Sequence, residues 1–333
     1  MSLAPATIPE LQDAVRSHAH VLPHGGRTKP ALSRTDATPI DMTRLSGVVE
    51  YDPMEFTITA LAGTRLADVQ KLLGDHGQHL PFDPPFAAAG ATLGGTVAAG
   101  LSGPSRLRCG GVRDFIIGVR FVDGTGELIR GGGKVVKNAA GFDLPKLMVG
   151  SCGRLGVLAE ITFKVFPRPR SWITVRVACR DLPAAIETMC RWTGGPMELD
   201  AIDLEPPGTL MVRMGGDEAA LRQRATAIGG EIVADEYWRG VNEFAWAGET
   251  LVKVAVTPRR IVELDKRLSR KRRYSVAGNV AWITQTDVDL GSLGLSGLVV
   301  RGERPIRLGA DASGTFVPRV KRALDPDGRF PPF

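Results

Sequence analysis

The sequence has 333 residues, 43% of them hydrophobic and 23% charged, with a formal net charge of +6. This is the composition of an ordinary globular chain, long enough for about two domains. No apolar run approaches the roughly 18 residues that span a bilayer. The four cysteines, Cys109, Cys152, Cys179 and Cys190, form no C-x-x-C pair, which argues against a zinc site or an iron–sulfur cluster held by this chain alone.

Isolated cysteines, and the lack of a basic segment leading into a long apolar stretch at the N-terminus, point to a reducing cytoplasm. The mild positive charge permits docking on an acidic partner or an anionic lipid surface and demands neither. Glycine, at 40 residues, is well above the average of about 7%. That favours many turns and a backbone that closely approaches a ligand.

In chain order, residues 8–19 read as an amphipathic helix with Thr7 as N-cap and Pro9 in the first turn. His20–Pro23 reads as a short strand running into the turn His24-Gly-Gly-Arg-Thr-Lys29. Glu50–Ala62 alternates like one half-buried strand, and Thr64 is placed to cap a helix carrying Leu66, Val69, Leu72 and Leu73. Phe115–Asp123 and Glu127–Arg130 flank Gly124-Thr-Gly126 as a β-hairpin. Val157–Phe166 alternates strictly, and Pro167-Arg-Pro169 then marks a domain boundary.

Beyond it, strands at Trp172–Cys179, Leu199–Leu204, Thr209–Met214 and Glu231–Tyr237 alternate with helices capped by Asp181 and Asp217. This β-α-β-β-α-β order is ferredoxin-like. Leu251–Val256, a helix from Pro258 to Leu268, and strands at Val276–Thr286 and Leu298–Arg301 extend it. The last stretch, from Phe316, reads as a helix followed by a Pro/Gly tail, and no repeat of fixed period is visible.

Two common nucleotide motifs are missing. No G-x-G-x-x-G opens a helix after a strand, and no G-x-x-x-x-G-K-[ST] occurs. Four glycine-rich blocks stand in their place: Pro81–Gly100, Leu101–Pro104, Lys137–Asp143 and Gly150–Gly156. Glycine lets backbone N–H groups approach an anionic ligand where a side chain would stand in the way. His24–Lys29 is either such a cradle, with Arg27 and Lys29 adding charge, or a plain turn. Gly90–Gly100 is either a backbone surface against something flat or anionic, or a helix packed through small residues.

The order of these blocks resembles the FAD-binding domain of the vanillyl-alcohol-oxidase family, also called the PCMH type. The words that carry the resemblance are Ala91-Thr-Leu-Gly-Gly95, Gly141-Phe-Asp-Leu144 and Gly150-Ser-Cys-Gly-Arg-Leu-Gly-Val157. Leu80–Pro85, Val97–Pro104, Val112-Arg-Asp114 and Val136–Asp143 are similar to the FAD-binding subunits of bacterial glycolate oxidases within that family. The resemblance is strong over roughly residues 20–170. It implies an α+β protein: a PCMH-type two-part FAD-binding domain over residues 1–168, a ferredoxin-like α+β cap or substrate domain over residues 169–310, and a segment 311–333 returning to the FAD domain.

It also implies a non-covalently bound FAD. Carried residue by residue, Gly25, Gly26, Arg27 and Thr28 face the pyrophosphate. Pro84, Gly90, Thr92, Gly94 and Gly95 line the pyrophosphate and ribityl chain. Ser102, Gly103 and Asn138 lie near the flavin, and Gly156 and Val157 near the adenine. Three departures stand out: Arg27 replaces a small residue, Phe142 a tyrosine, and Asp325-Pro-Asp-Gly-Arg-Phe the usual Asn-Pro-Gly ending.

All five histidines, His18, His20, His24, His76 and His79, fall in the first quarter of the chain. Stand-alone relatives that oxidise D-2-hydroxy acids are expected to use cap-domain histidines, often with a metal; here none is available, so no metal site is expected. His24 precedes its glycine pair and reads as a strand-end residue. No catalytic residue is assigned. Asp83, Asp114 and Asp143 flank the blocks, Asp114 and Asp143 more as loop caps. Arg106, Arg108 and Arg113 suit either a substrate carboxylate or a partner surface. Arg267–Arg273 reads as a solvated helix end, not a nucleic-acid site.

The resemblance implies oxidation of glycolate or another small 2-hydroxy acid, with a larger flavoprotein subunit and an iron–sulfur subunit as partners, in the cytoplasm or peripherally at the inner face of the cell membrane. Two alternatives stay open: a subunit that binds FAD only for assembly or electron transfer, and a stand-alone FAD oxidoreductase of the same fold acting on another alcohol.

Overall fold

The computed structural model describes residues 3–133, 142–303, 306–310, 314 and 316–332. The chain forms two compact units. One comprises Met1–Leu101, Gly111–Pro167 and Ser313–Phe333; the other comprises Ser102–Gly110 and Arg168–Ala312. Among the described residues, no helix is long and apolar enough to cross a membrane.

In the first unit, the helix Ile8–Arg16 begins where Thr7 Oγ1 accepts the Glu10 N–H at 3.3 Å, and it buries Leu11, Ala14 and Val15. Val21–His24 pairs in parallel with Thr38–Asp41. A five-stranded antiparallel sheet follows in the order Val48–Asp52, Thr57–Leu61, Val157–Lys164, Ile116–Val122, Leu128–Gly132. The alternating stretch from Glu50 to Ala62 is therefore a hairpin and not one strand. Its second arm is buried on both faces, and on the polar side Thr59 Oγ1 hydrogen-bonds Thr162 Oγ1 at 3.0 Å on the neighbouring strand.

Thr64 does not cap the helix Leu66–Asp75, whose N-cap is Arg65. The Thr64 hydroxyl instead bridges the Gly47 N–H at 2.9 Å and the Gly47 carbonyl at 3.1 Å, tying that helix entry to the sheet edge. The C-terminal tail closes the core of this unit. Phe330 is 1% exposed among Leu11, Val15, Val21, Val122 and Val157, and the Val21 N–H donates to the Arg329 carbonyl at 2.8 Å. Asp325, also buried, accepts the N–H groups of Arg329 at 2.8 Å and Phe330 at 2.9 Å.

The second unit is built on a nine-stranded antiparallel sheet. Its first half contains, in chain order, Ser171–Ala178, Ala201–Glu205, Thr209–Gly216 and Glu231–Val233, lying side by side as 4-1-3-2. The helices Leu182–Thr193 and Glu218–Ile228 connect them, capped by Asp181 and Asp217. This is the ferredoxin-like arrangement.

The second half repeats its strand order, with the helix Ile261–Asp265 after its first strand and turns in place of the second helix. Leu251–Ala255, Arg272–Ser275, Val280–Ile283 and Ser296–Arg301 lie as 2-3-1-4, the same order read from the other end. The halves join where Leu204 pairs with Tyr274, and Arg307–Gly309 adds an edge. The duplication is one of topology.

Two expected strands change here. Glu231–Tyr237 is strand only to Val233, and Glu236–Asn242 is helix, because Trp238 buries itself against Ala201 and Met211 and donates its indole N–H to Thr174 Oγ1 at 2.9 Å. Val276–Thr286 is strand only over Val280–Ile283, and its first residues are the turn of a hairpin with Arg272–Ser275. Val276, Ala277 and Gly278 take φ values of 56°, 51° and 76° and reverse the chain, held by the Ala277 N–H on the Ile202 carbonyl at 3.1 Å.

On the sheet face that carries Ala201 and Met211, Asp203 is completely buried beside Arg273 and accepts the Ser275 hydroxyl at 2.6 Å. Burial pushes its carboxyl up to about 6 from 3.8, against the pull of Arg273 and Ser275. The folded state therefore holds the proton more tightly than the unfolded chain. The associated stability is complete below pH 3.8 and is lost as pH rises through about 6. Asp203→Asn is expected to flatten that fall in a series of melting curves from about pH 4 to about pH 7. Parallel curves for the variant and the parent chain would contradict it.

Candidate cofactor cleft

A cleft of about 680 Å³ opens in the first unit at the end of the strand Val21–His24. One wall is the turn Gly25–Lys29. Among the described residues, the N–H groups of Gly25, Gly26, Arg27 and Thr28 make no backbone hydrogen bond, so four consecutive donors are available at this wall. Arg27 stands at φ 51°, left-handed backbone that non-glycine residues adopt at a cost on the order of 1 kcal/mol.

The facing wall is the helix Leu93–Ala99. Thr92 Oγ1 accepts the Gly95 N–H at 3.2 Å to start it, and Gly100 ends it at φ 62°. Gly94, Gly95, Ala98 and Ala99 face the cleft. The two readings of this stretch are thus both present: it is a helix packed through small residues, and its small residues form a ligand-sized surface. A Cβ on Gly94 would stand 2.8 Å from the Ala62 Cβ, so glycine brings the helix onto the sheet.

Glycine at 25 and 26 closes the two walls together. A Cβ on Gly25 would overlap Thr92 Oγ1, and one on Gly26 would overlap the Gly90 carbonyl. The third wall is the turn Cys152–Gly156, with Gly153 packed so closely on Pro23 that a Cβ would sit 2.7 Å from its ring.

Arg154, 2% exposed, anchors that wall. Its Nε donates to the Pro332 carbonyl at 2.9 Å, and its Nη1 donates to the carbonyls of Cys152 at 2.8 Å and Leu32 at 3.2 Å. Leu32 and Cys152 both line the cleft. Met42, Ala62 and Leu158 complete an apolar floor.

The electrostatics are one-signed. Arg27 and Lys29 line the cleft, and no carboxylate does among the described residues. Lys29 is buried, with Nζ 2.9 Å from Thr28 Oγ1 and 5.2 Å from the Phe86 ring centroid. His24 is buried too, and its desolvation, reinforced by Arg27, holds it below the usual histidine range. Its ring is therefore neutral near pH 7. Arg27 lies against it, Nε 3.3 Å from Nδ1 and Nη2 2.9 Å from Nε2; one ring nitrogen carries the proton, so one of these contacts is a donated hydrogen bond.

Of the residues expected at the cofactor, Gly25, Gly26, Arg27, Thr28, Thr92, Gly94, Gly95 and Gly156 come together on this cleft. Gly90 stands behind Gly26 through its carbonyl. Pro84 and the side chain of Val157 are buried outside the lining, Pro84 in a segment whose Phe82 stacks on Phe115 and Phe163. Ser102 and Gly103 belong to the second unit, and Asn138 lies outside the described residues.

Asp114 accepts the Gly111 N–H at 2.7 Å and Asp143 the Lys146 N–H at 3.1 Å, capping the short helices Val112–Phe115 and Leu144–Met148. Arg113 belongs to the first unit. Arg108 is paired with Asp200 at 3.4 Å in the second, and Arg106 acts on Lys253, where burial first and that like charge second lower the ammonium to about 8.

A diphosphate-containing planar cofactor fits this set: four N–H donors and two cations at one end, small residues along the sides and an apolar floor. FAD has those parts. Residues 2–132 match a family model described as FAD binding domain. Glycolate oxidase subunit GlcE of Escherichia coli (strain K12) is 38% identical over 239 residues, covering 72% of this chain and 68% of that protein.

D-lactate dehydrogenase of Anaerostipes hadrus is 33% identical over 172 residues, 51% of this chain and 36% of that one. Glycolate oxidase subunit GlcD of Bacillus subtilis (strain 168) is 32% identical over 145 residues, 44% of this chain and 31% of that one. The chain thus matches only about a third of the length of these last two. A solved alkyldihydroxyacetonephosphate synthase superposes with a TM-score of 0.70 at 14% identity, over 98% of this chain and 74% of that one, and so shares the fold. The glycine-walled cleft and the extent of the match to GlcE together place the chain in the FAD-binding glycolate oxidase subunit GlcE family.

Proposed function

We propose that this chain is the GlcE-type subunit of a complex that oxidises a small 2-hydroxy acid, glycolate to glyoxylate, and passes the electrons to partner subunits. The observation that carries the reading is the cleft walled by Gly25, Gly26, Gly94 and Gly95, with two cations and, among the described residues, no acid, in a chain 38% identical to GlcE. FAD, when bound, supplies the two-electron acceptor.

The chain's own residues bind and orient it. The N–H groups of Gly25–Thr28 hold the pyrophosphate, and Arg27 and Lys29 offset its charge. Thr92, Gly94 and Gly95 admit the ribityl chain, and Gly156 admits the adenine end. Gly90, Pro84 and Val157 support these walls. Ser102, Gly103 and Asn138 are assigned to the flavin end on family resemblance alone.

The partners in this proposal are a larger flavoprotein subunit and an iron–sulfur subunit, since the four cysteines of this chain supply no cluster motif. The complex works in the cytoplasm or peripherally at the inner face of the cell membrane. One observation favours a narrower role. The second unit contains no histidine, as all five lie at or before His79, so this chain offers no imidazole base there. In that reading the subunit binds FAD for assembly or electron transfer.

Anaerobic addition of glycolate or D-lactate separates the two. Bleaching of flavin absorbance near about 450 nm in the isolated chain supports chemistry at this subunit. Bleaching only after the larger flavoprotein subunit is added supports the narrower role. An assembled complex that none of a panel of 2-hydroxy acids reduces contradicts both.

A further inference from the structure

The basic run Arg267-Leu-Ser-Arg-Lys-Arg-Arg273 has no part in the cofactor cleft. It is not a solvated helix end: the helix stops at Asp265, and Arg272–Ser275 is a strand. The last two arginines are paired. Arg272 donates from Nε to Asp265 Oδ1 and from Nη2 to Oδ2, both at 2.7 Å, and Asp265 also accepts the Tyr274 hydroxyl at 2.8 Å. Arg273, 6% exposed, donates from Nη2 to Glu205, which also accepts the Tyr237 hydroxyl at 2.7 Å. The nearby acids are therefore engaged. Arg270 and Lys271 are exposed, and their side chains form no ion pair among the described residues.

Arg270 and Lys271 border an open groove together with Ser269, Pro206, Trp246, the paired Arg272 and Arg273, and Glu205, whose carboxylate is taken up by Arg273 and Tyr237. One buried donor of its lining, the indole N–H of Trp246, lacks a hydrogen-bond partner among the described residues, while Nη1 of Arg273 lies 3.8 Å from the buried Asp203 carboxylate. Buried donors are nearly always matched by an acceptor, so this lining is short of one. Donors converging from several sides suit a tetrahedral dianion better than a planar carboxylate, which accepts in one plane.

We infer that the groove is a binding site for a phosphate group, held by Arg270, Lys271 and Ser269 at the rim and by the Trp246 indole N–H beneath. It lies wholly within the second unit and does not depend on the role proposed for the cofactor. A free phosphate compound and the headgroup of an anionic phospholipid carry the same chemistry.

Inorganic phosphate is titrated into the full-length FAD-loaded protein while tryptophan emission is followed. Vesicles of phosphatidylglycerol mixed with phosphatidylcholine, and of phosphatidylcholine alone, are tested by co-sedimentation. The expected result is a saturable change in emission that disappears in Trp246→Phe and needs at least about tenfold more phosphate in Arg270→Ala/Lys271→Ala. Unchanged melting curves together with unchanged flavin content show that both units of the variants fold.

Co-sedimentation with phosphatidylglycerol vesicles, lost in the double variant, identifies a lipid headgroup. Phosphate binding without it identifies a soluble ligand. The inference is overturned by the absence of both kinds of binding, or by equal affinity in the double variant.

Discussion

Gly26→Ala is expected to purify without flavin. The added Cβ overlaps the Gly90 carbonyl and comes within 2.7 Å of its carbon, and both are backbone atoms that no rotamer change can move. Overpacking of this kind costs about 1–3 kcal/mol where side chains can yield, and more where they cannot. The turn Gly25–Thr28 must lift off Gly90, and its four N–H groups then no longer converge on the cleft.

The expected loss of FAD affinity is at least about 100-fold, equivalent to about 2.7 kcal/mol, read as the ratio of flavin to protein absorbance and as a titration of added FAD. Gly74→Ala is the control. Nothing lies within 4 Å of a Cβ there, in the helix Leu66–Asp75, so flavin content stays at the parent level and stability rises by up to about 1 kcal/mol. A Gly26→Ala protein with full flavin would show that the turn does not hold the cofactor.

The second large effect is expected at Arg154, a positioning residue. Arg154→Ala removes the donor from the carbonyls of Pro332, Cys152 and Leu32 at once. Leaving buried acceptors unmatched costs about 1–3 kcal/mol each, softened where water enters, so about 3 kcal/mol in total is expected. For a chain of this size that is a fall in melting temperature of roughly 4 °C.

The same change loosens two cleft walls, so flavin loss should accompany the lower melting temperature. Arg154→Lys keeps the charge but not the fork of donors, and is expected to recover less than half of the difference. A melting temperature within about 1 °C of the parent would contradict the role given to this side chain.

The contrast between these two residues shows what the sequence reveals. Gly25, Gly26, Gly94, Gly95 and Gly156 are legible because glycine beside strand-like runs has few other uses, and the cleft collects all five. Arg154 sits inside a quoted block yet carries no local signal. Two of its three partners are 122 and 178 residues away, and a buried arginine is spelled like an exposed one.

Met42, Ala62 and Leu158 were equally silent, since an apolar cleft wall has the same alternation as a core strand. Strict periodicity placed the strand Val157–Lys164 to within two residues. Where a long-range contact decided the outcome, local pattern failed. Trp238, by reaching Thr174, turned the end of one expected strand into a helix, and the turn at Val276–Gly278 shortened another to Val280–Ile283. The doubled 4-1-3-2 sheet is likewise set by pairings such as Leu204 with Tyr274 and not by any repeated word.

The central claim is that the cleft between Gly25–Lys29, Leu93–Ala99 and Cys152–Gly156 holds FAD. The visible spectrum of the purified chain, with the flavin released by mild acid and counted, tests it most directly. The account predicts a yellow protein absorbing near about 450 nm, with about one releasable FAD per chain. A colourless protein that also fails to take up added FAD would contradict it.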